Sequence, residues 1–378
     1  MRIIHVADTH LGYQNFSGKL DPIRNINQRE CDVYDAWHAA VDVAIERRPD
    51  LFIHAGDLFD SSRPSPRAIV EALSGFAKLR EAGIPALVIA GNHSTPRFRS
   101  GGSVFEILHE FGITAIWGEP ETVRTSGLAV HCVPHEPHAE QLLADIRGLS
   151  LDTSAEANVL VLHAGLEGVR QDYHEVNEIA LAPEDLAQGE YAYIALGHLH
   201  KFHAPQVNAI YAGSLERLDF GDIDGEKAVL EIDLATGAGS PDFVLRHPIP
   251  TRPMLDIALP CEGIGPSDVV DKLEQAVDGL ALDGAVVRLR FEAIQRDVYH
   301  SLNLSAIDEL LAPCLQVVRS VGRSGLVTSS MDDDADISFA TFARREMPKG
   351  VDAEAVVRLA LGYLDDAKAA EVEAEAGE

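Results

Sequence analysis

Residues 51–60 read Leu-Phe-Ile-His-Ala-Gly-Asp-Leu-Phe-Asp. A short apolar run, Leu51 to Ala55, stops at Gly56-Asp57, where glycine lets the backbone turn sharply beside a carboxylate. The arrangement recurs. Ile3 to Ala7 stops at Asp8, and Ala86 to Ala90 at Gly91-Asn92-His93. Val159 to Leu162 stops at His163, and Tyr193 to Leu196 at Gly197-His198. Between these runs lie stretches with helical spacing: 32–47, with Val33, Trp37, Ala40, Val41 and Ala44 on one side, then 66–82 and 104–111. Continuous apolar strands alternating with helices predict an α/β fold whose sheet is covered on both faces. In such sheets ligands sit outside the carboxyl ends of the strands. Five segments distant in sequence can therefore deliver their end residues to one place.

After Tyr211 the pattern changes. Residues 227–234 and 243–245 read as strands without terminal ligands, and Pro248, Pro250 and Pro253 mark a boundary. A helix near 267–277, a strand at 285–291, a helix near 305–311 and a strand at 315–321 predict a small α+β domain. From Asp352 a last helix is expected, with Val356, Val357, Ala360, Leu361 and Leu364 as its apolar stripe. The expected division is 1–248, 249–325, and 326–378 as linker and C-terminal helix.

The chain has 378 residues, 46% hydrophobic and 24% charged, enough apolar content for a sizeable core and against global disorder. No apolar run reaches the roughly 18 residues that a membrane span needs. The N-terminal Met-Arg-Ile-Ile-His-Val-Ala-Asp lacks the apolar core of a signal peptide, so the expected location is cytoplasmic, with no membrane partner. Cys31, Cys132, Cys261 and Cys314 are scattered, which reads as reduced buried thiols. The net charge of −29 argues against a broad basic surface for nucleic acid, while acidic clusters gather divalent cations.

The chemistry is carried by Asp8-Thr9-His10, Gly56-Asp57-Leu58-Phe59-Asp60, Gly91-Asn92-His93, His163-Ala164-Gly165 and Gly197-His198-Leu199-His200. Carboxylate, imidazole and amide oxygen form a ligand set for Mn²⁺, Fe²⁺ or Zn²⁺. Two such ions about 3.5–4 Å apart need a bridging carboxylate and clamp a phosphate between them. Asp57 is the natural bridge. Each motif alone is more often structural; five in order, each after an apolar strand, point to a centre.

In this order the motifs resemble the calcineurin-like metallophosphoesterase superfamily. The longer strings Asp8-Thr9-His10-Leu11-Gly12-Tyr13, Gln28-Arg29-Glu30 and Gly56-Asp57-Leu58-Phe59-Asp60-Ser61-Ser62-Arg63-Pro64 resemble the SbcD nuclease family. That family is the prokaryotic relative of the Mre-eleven break-repair nuclease. The resemblance covers about residues 1–220 and implies a four-layer αββα metallophosphoesterase sandwich, with a small α+β capping domain and a C-terminal helix. It implies two divalent metal ions, Mn²⁺, one held by Asp8, His10, Asp57 and His200, the other by Asp57, Asn92, His163 and His198. His93 is implied as the catalytic residue that stabilises the transition state or protonates the leaving oxygen. The implied activity is a Mn-dependent DNA nuclease (3'-5' exonuclease and endonuclease) of double-strand-break repair. The implied assembly is a homodimer with an SbcC/Rad-fifty-type ATPase, which the C-terminal helix would bind. The sequence departs from the superfamily at Ser94, where Asp is frequent, and Asp60 stands where archaeal relatives often carry histidine near the substrate.

Arg29, Arg63, Arg97 and Arg99 lie in or near these motifs and are candidates for phosphate-backbone contact, weighed against ordinary surface positions. Two other functions are compatible with the motifs: a small-molecule or cyclic-nucleotide phosphoesterase of the same fold, and a non-catalytic DNA-end or ATPase scaffold.

Overall fold

The structure, a computed structural model, describes residues 1–95, 102–169, 180–188, 191–223 and 225–321. The linker and helix expected over 326–378 lie outside these residues, as do Arg97 and Arg99. The strands before residue 200 are β1 (Arg2–Val6), β2 (Leu51–His54), β3 (Ala86–Ile89), β4 (Thr114–Ile116), β5 (Glu121–Thr125), β6 (Leu128–Val133), β7 (Ala157–His163), β8 (Gly165–Leu166), β9 (Ala180–Leu181) and β10 (Tyr193–Gly197). They are followed by β11 (His203–Gln206), β12 (Ala209–Tyr211), β13 (Ala228–Asp233), β14 (Val244–Pro248), β15 (Met254–Pro260), β16 (Val286–Glu292) and β17 (Gln316–Val321). The helices that matter here are α1 (Gln28–Arg47), α2 (Pro66–Glu81), α3 (Val104–Glu110), α4 (Ala139–Gly148), α5 (Pro266–Val277), α6 (Arg296–His300) and α7 (Leu304–Leu310).

Two six-stranded sheets carry the molecule, in the orders β14-β13-β1-β2-β3-β4 and β11-β12-β10-β7-β6-β5. Alternation along each strand shows how they stack. Ile3 and Ala7 of the first run join Leu51, Ile53, Leu87 and Ile89 in a core that also takes Val130, Val159, Val161, Tyr193 and Ala195 from the second sheet. The intervening Ile4, Val6, Phe52 and Val88 face Trp37, Ala40, Val41, Phe76 and Phe105 of α1, α2 and α3. On the other side, Leu160, Leu162, Ile194 and Leu196 pack with Leu142 and Ile146 of α4. The layers are therefore helix, sheet, sheet, helix. Each central strand is buried on both faces, which is why it reads as a continuous apolar run.

Within the first sheet β1, β2, β3 and β4 are parallel neighbours, as are β6, β7, β10 and β12 in the second. Their carboxyl ends thus lie along one edge. Helix α1 starts at Gln28 because the Asn27 side chain accepts from the Arg29 amide, four residues earlier than its apolar spacing predicts.

Residues 254–321 form a third, smaller unit. Strands β15, β16 and β17 are all parallel, and α5 and α7 supply Val269, Leu273 and Ile307 to a separate core with Leu289 and Phe291. Met254, Val286 and Leu315 meet Phe220 of the first part, and the Arg288 guanidinium lies 4.7 Å from the Phe220 ring centroid. All four cysteines are free and buried, as expected. Among the described residues no helix is long and apolar enough to cross a membrane.

Candidate metal centre

The loops after β1 and β2 continue the strand pairing beyond the sheet. The amides of Asp8, His10 and Leu11 donate to the carbonyls of Gly56, Asp57 and Leu58 at 3.0, 3.0 and 2.8 Å. This lateral bonding holds Asp8, His10 and Asp57 in the left-handed region, with φ of 52°, 53° and 50°; His198 has φ 101°. Asp and His tolerate that region better than most residues, but it remains strained and needs surrounding contacts to persist.

Three glycines bring the loops together. A Cβ on Gly56 would fall under 3.0 Å from the His163 ring, one on Gly91 from Asp57, and one on Gly197 from both the Ala55 carbonyl and His163. Only hydrogen fits where these motifs cross.

All eight motif residues meet at this edge. His163 Nδ1 donates to the Ala55 carbonyl at 2.9 Å. Its Nε2 faces Asn92 Oδ1 at 2.8 Å and Asp57 Oδ2 at 3.3 Å. His198 Nδ1 stands 3.2 Å from the same Asn92 oxygen. Two imidazoles and a carboxylate thus converge on one amide oxygen, a donor set of the kind divalent ions take. A second group is built on Asp8, His10 and His200, whose ligand atoms lie within 4.8 Å of one another. Asp8 is also grouped with Asp57 and His163. The His198 amide fixes the Asp8 carboxylate at 2.9 and 3.1 Å. His10 Nδ1 contacts Asp60 Oδ1 at 3.2 Å, while its buried Nε2 has no hydrogen-bond partner and lies 3.8 Å from Asp57 Oδ2. A carboxylate on one imidazole nitrogen with the other left bare is the usual setting of a metal-ligating histidine. Asp57 Oδ2 thus faces one histidine of each expected ligand set.

Electrostatics agree. Burial first, and then the Asp57 charge, push Asp8 up to about 8. Burial also pushes Asp57 upward, but His163, His93 and His10 outweigh it and hold that carboxyl well below the usual range. Two fully buried carboxyls without a cation cannot both ionise cheaply. Burial, with the His10 ring beside it, takes His200 well below the ordinary histidine value, which keeps the ring neutral. The orphaned His10 Nε2, the convergence of His163 and His198 on Asn92 Oδ1 and the paired buried carboxylates together fit divalent cations.

His93 is fixed from two directions: its amide donates to Asp57 Oδ1 at 2.9 Å and its Nδ1 donates to the Asp60 carbonyl at 3.0 Å. Asp60 thereby touches both His10 and His93. At the Ser94 departure the turn is closed by Thr95, whose hydroxyl donates to the Gly91 carbonyl at 2.8 Å.

Among the basic candidates, Arg63 is exposed, three residues after Asp60. Arg29 requires a correction. It is 1% exposed, donates to Asp32 at 2.9 Å and to the Arg217 carbonyl, and lies 3.7 Å from Glu216. Its position in the first turn of α1 turns the guanidinium inward, where it binds loops rather than a phosphate. Sequence reading missed Lys227 and Ser214, which donate to the His200 carbonyl, and Asp222, which pairs with both of them. The signal was a lysine directly before an apolar strand, and its place at the site appears only once β13 is known to run antiparallel to β1.

Comparison with known proteins adds the family. The description "Calcineurin-like phosphoesterase" matches residues 1–202. The chain is similar to the DNA double-strand break repair protein Mre11 of Sulfurisphaera tokodaii, 33% identical over 230 residues, covering 59% of this chain and 56% of that protein. It is similar to that of Saccharolobus solfataricus at 32% over 200 residues, covering 53% and 49%. A third likeness, at 28% over 225 residues, is to that of Methanocaldococcus jannaschii, covering 57% of each chain. The chain therefore spans about half the length of the curated relatives it matches. With more than half of its own length matched and the five motifs gathered at one sheet edge, the chain belongs to the calcineurin-like phosphoesterase family.

Proposed function

We propose that this chain is a Mn²⁺-dependent DNA nuclease, acting as exonuclease and endonuclease on phosphodiesters in double-strand-break repair. The observation that carries the reading is the convergence of two donor groups on Asp57 at the carboxyl edge of both sheets. In this reading Asp8, His10, Asp57 and His200 hold one ion, and Asp57, Asn92, His163 and His198 hold the other. When bound, the ions supply Lewis-acid polarisation and neutralise charge building on the phosphoryl oxygens. His93 does the work of the chain's own side chains. Its Nδ1 proton is committed to the Asp60 carbonyl, so its Nε2 is the atom that gains and loses a proton, and from there it protonates the leaving oxygen. Asp60 orients both His10 and His93.

Residues 249–325 act as a capping domain beside the site. Val70, Ile107 and Phe111, 60%, 40% and 58% exposed on and beside α2 and α3, support a homodimer through those helices. Similarity to Mre11 proteins supports DNA as substrate, an SbcC/Rad50-type ATPase as partner and a cytoplasmic location. Arg63, and Arg97 and Arg99 beyond the described residues, are the proposed backbone contacts.

One observation favours a second reading. A cleft of about 620 Å³ against the Gly91–Ser94 turn is lined by Glu106, Glu119 and Glu136 as well as Trp117 and His135. Its acidity suits a small phosphodiester better than a DNA duplex. Linear duplex and hairpin DNA are compared with cyclic nucleotides under Mn²⁺. The nuclease reading expects DNA cleavage, and expects His93→Ala to abolish it while keeping the metal content of the unmodified chain. Turnover of cyclic nucleotides alone reverses the choice of substrate, and loss of metal in His93→Ala removes its assignment as a non-ligand.

A further inference from the structure

Behind the ligand loop lies a charged cluster in the protein interior. Lys227 is 6% exposed, Asp222 2% and Ser214 1%. The ammonium places its three donors on three acceptors: the His200 carbonyl at 2.9 Å, Ser214 Oγ at 2.8 Å and Asp222 Oδ1 at 2.5 Å. Ser214 Oγ stands 2.9 Å from Asp222 Oδ2, which closes the ring of contacts. The Ser214 amide also donates to the His200 carbonyl, at 2.9 Å. That one oxygen is therefore gripped from two sides. The approach is made possible by Gly213, with φ 78°, where a Cβ would sit 2.9 Å from the His200 carbonyl oxygen.

Topology explains why a lysine before β13 reaches this loop. Strand β13 is antiparallel to β1, with His5 opposite Leu230. Continued along the same register, Lys227 stands level with Asp8. The start of β13, in the first sheet, thus lies at the same edge as the end of β10, in the second, and the ammonium spans from one to the other.

A buried ion pair has a desolvation cost that apolar side chains of similar volume avoid, so most interior positions are better served without one. This pair lies directly behind a ring whose placement the centre needs. His200 is brought within 4.8 Å ligand-atom range of Asp8 and His10, its ring centroid 5.0 Å from that of His10.

We propose that Lys227, Asp222 and Ser214 form a clamp that positions His200 as a metal ligand through its main-chain carbonyl. The inference rests on the two-ion reading above and adds to it three positioning residues outside the ligand set. They act on one ion, that of Asp8, His10, Asp57 and His200, and leave the ion of Asn92, His163 and His198 untouched.

The test uses the full chain with Co²⁺ or Mn²⁺ alone. Lys227→Met leaves the buried Asp222 charge without its cation and can fail to fold, so the informative variant is Lys227→Met combined with Asp222→Asn, which removes both charges together. Ser214→Ala is the second variant and retains the ion pair. Binding isotherms give the stoichiometry and both affinities, and the Co²⁺ visible absorption reports ligand geometry. The unmodified chain is expected to take two ions. In the folded double variant one ion should weaken by about 10-fold or more, as loss of groups that orient a ligand does, with an altered Co²⁺ band and the other affinity unchanged. Ser214→Ala should move the same ion in the same direction by less. Unchanged affinities and spectrum in either folded variant overturn the clamp, as does equal weakening of both ions, which marks general loosening. If the unmodified chain takes no pair of ions, the two-ion reading fails first and the clamp with it.

Discussion

Single residues show how closely chemistry and backbone are bound together at this edge. Asp8, His10, Asp57 and His198 all take positive φ, at a cost of order 1 kcal/mol each. Their side chains turn to one point because the backbone does. The identity of these residues was legible in the sequence, since Asp and His after apolar runs are conspicuous. Their conformation was not, because it is set by bonds such as Asp8 amide to Gly56 carbonyl, between segments almost fifty positions apart. The glycines carry a prediction. At Gly197 an added Cβ would meet the Ala55 carbonyl, a backbone atom with nowhere to go. Gly197→Ala should destabilise by about 1–3 kcal/mol, as overpacking does. Gly148→Ala, at the end of α4 with nothing within 4 Å, should stay within about 0.5 kcal/mol. Urea midpoints at constant slope measure both. A neutral Gly197→Ala would mean that the loops do not cross as closely as described.

Among the described residues, long apolar strands and amphipathic helices are legible in the sequence, because burial on both faces leaves a continuous apolar signature. Shorter or half-polar elements were not. Strand β4 is three residues long, β5 is an edge strand with exposed Glu121 and Arg124, and β15 starts directly after Pro253, the last of the prolines that read as a boundary. Buried histidines inside strands read in the sequence only as parts of apolar runs. His54 on β2 faces the helices, with Nε2 2.8 Å from Thr9 Oγ1 and its ring against Trp37, and burial lowers its pKa to about 3. His5 on β1, bonded to the Tyr193 hydroxyl, is lowered to the same level. The sign follows from proton counts. The unfolded chain protonates these rings below pH 6.5 and the folded one does not until about pH 3, so the unfolded state binds more protons and stability falls as pH drops below 6.5. Each such ring contributes up to about 1.4 kcal/mol per pH unit in that window. His54→Gln should make the loss of stability between pH 6 and pH 5 shallower by up to this amount in urea titrations. An unchanged slope would show that His54 does not stay neutral in the fold.

For the whole molecule, apolar strand patterning alone predicts a sheet covered on both faces and is silent on what covers it. A strand under a helix and a strand under another sheet look alike in sequence. The two facing sheets were legible only through resemblance to a known family, and the facing cores around Ile53 and Val161 now give their physical reason. Facing sheets bring β1, β2 and β3 of one and β7 and β10 of the other to a common edge, so side chains 192 positions apart, Asp8 and His200, fall within ligand-atom range. The small unit after residue 253 is tied to this body through Arg252, which grips Asp32 at 2.6 Å, and Lys19, which reaches the Cys314 carbonyl at 2.8 Å. In the proposed centre two cations share Asp57. Anomalous diffraction at the manganese edge from Mn²⁺-soaked crystals would locate them. Two peaks are expected either side of Asp57, one among Asp8, His10 and His200 and one among Asn92, His163 and His198; a single peak, or none between these side chains, would overturn the shared-carboxylate centre.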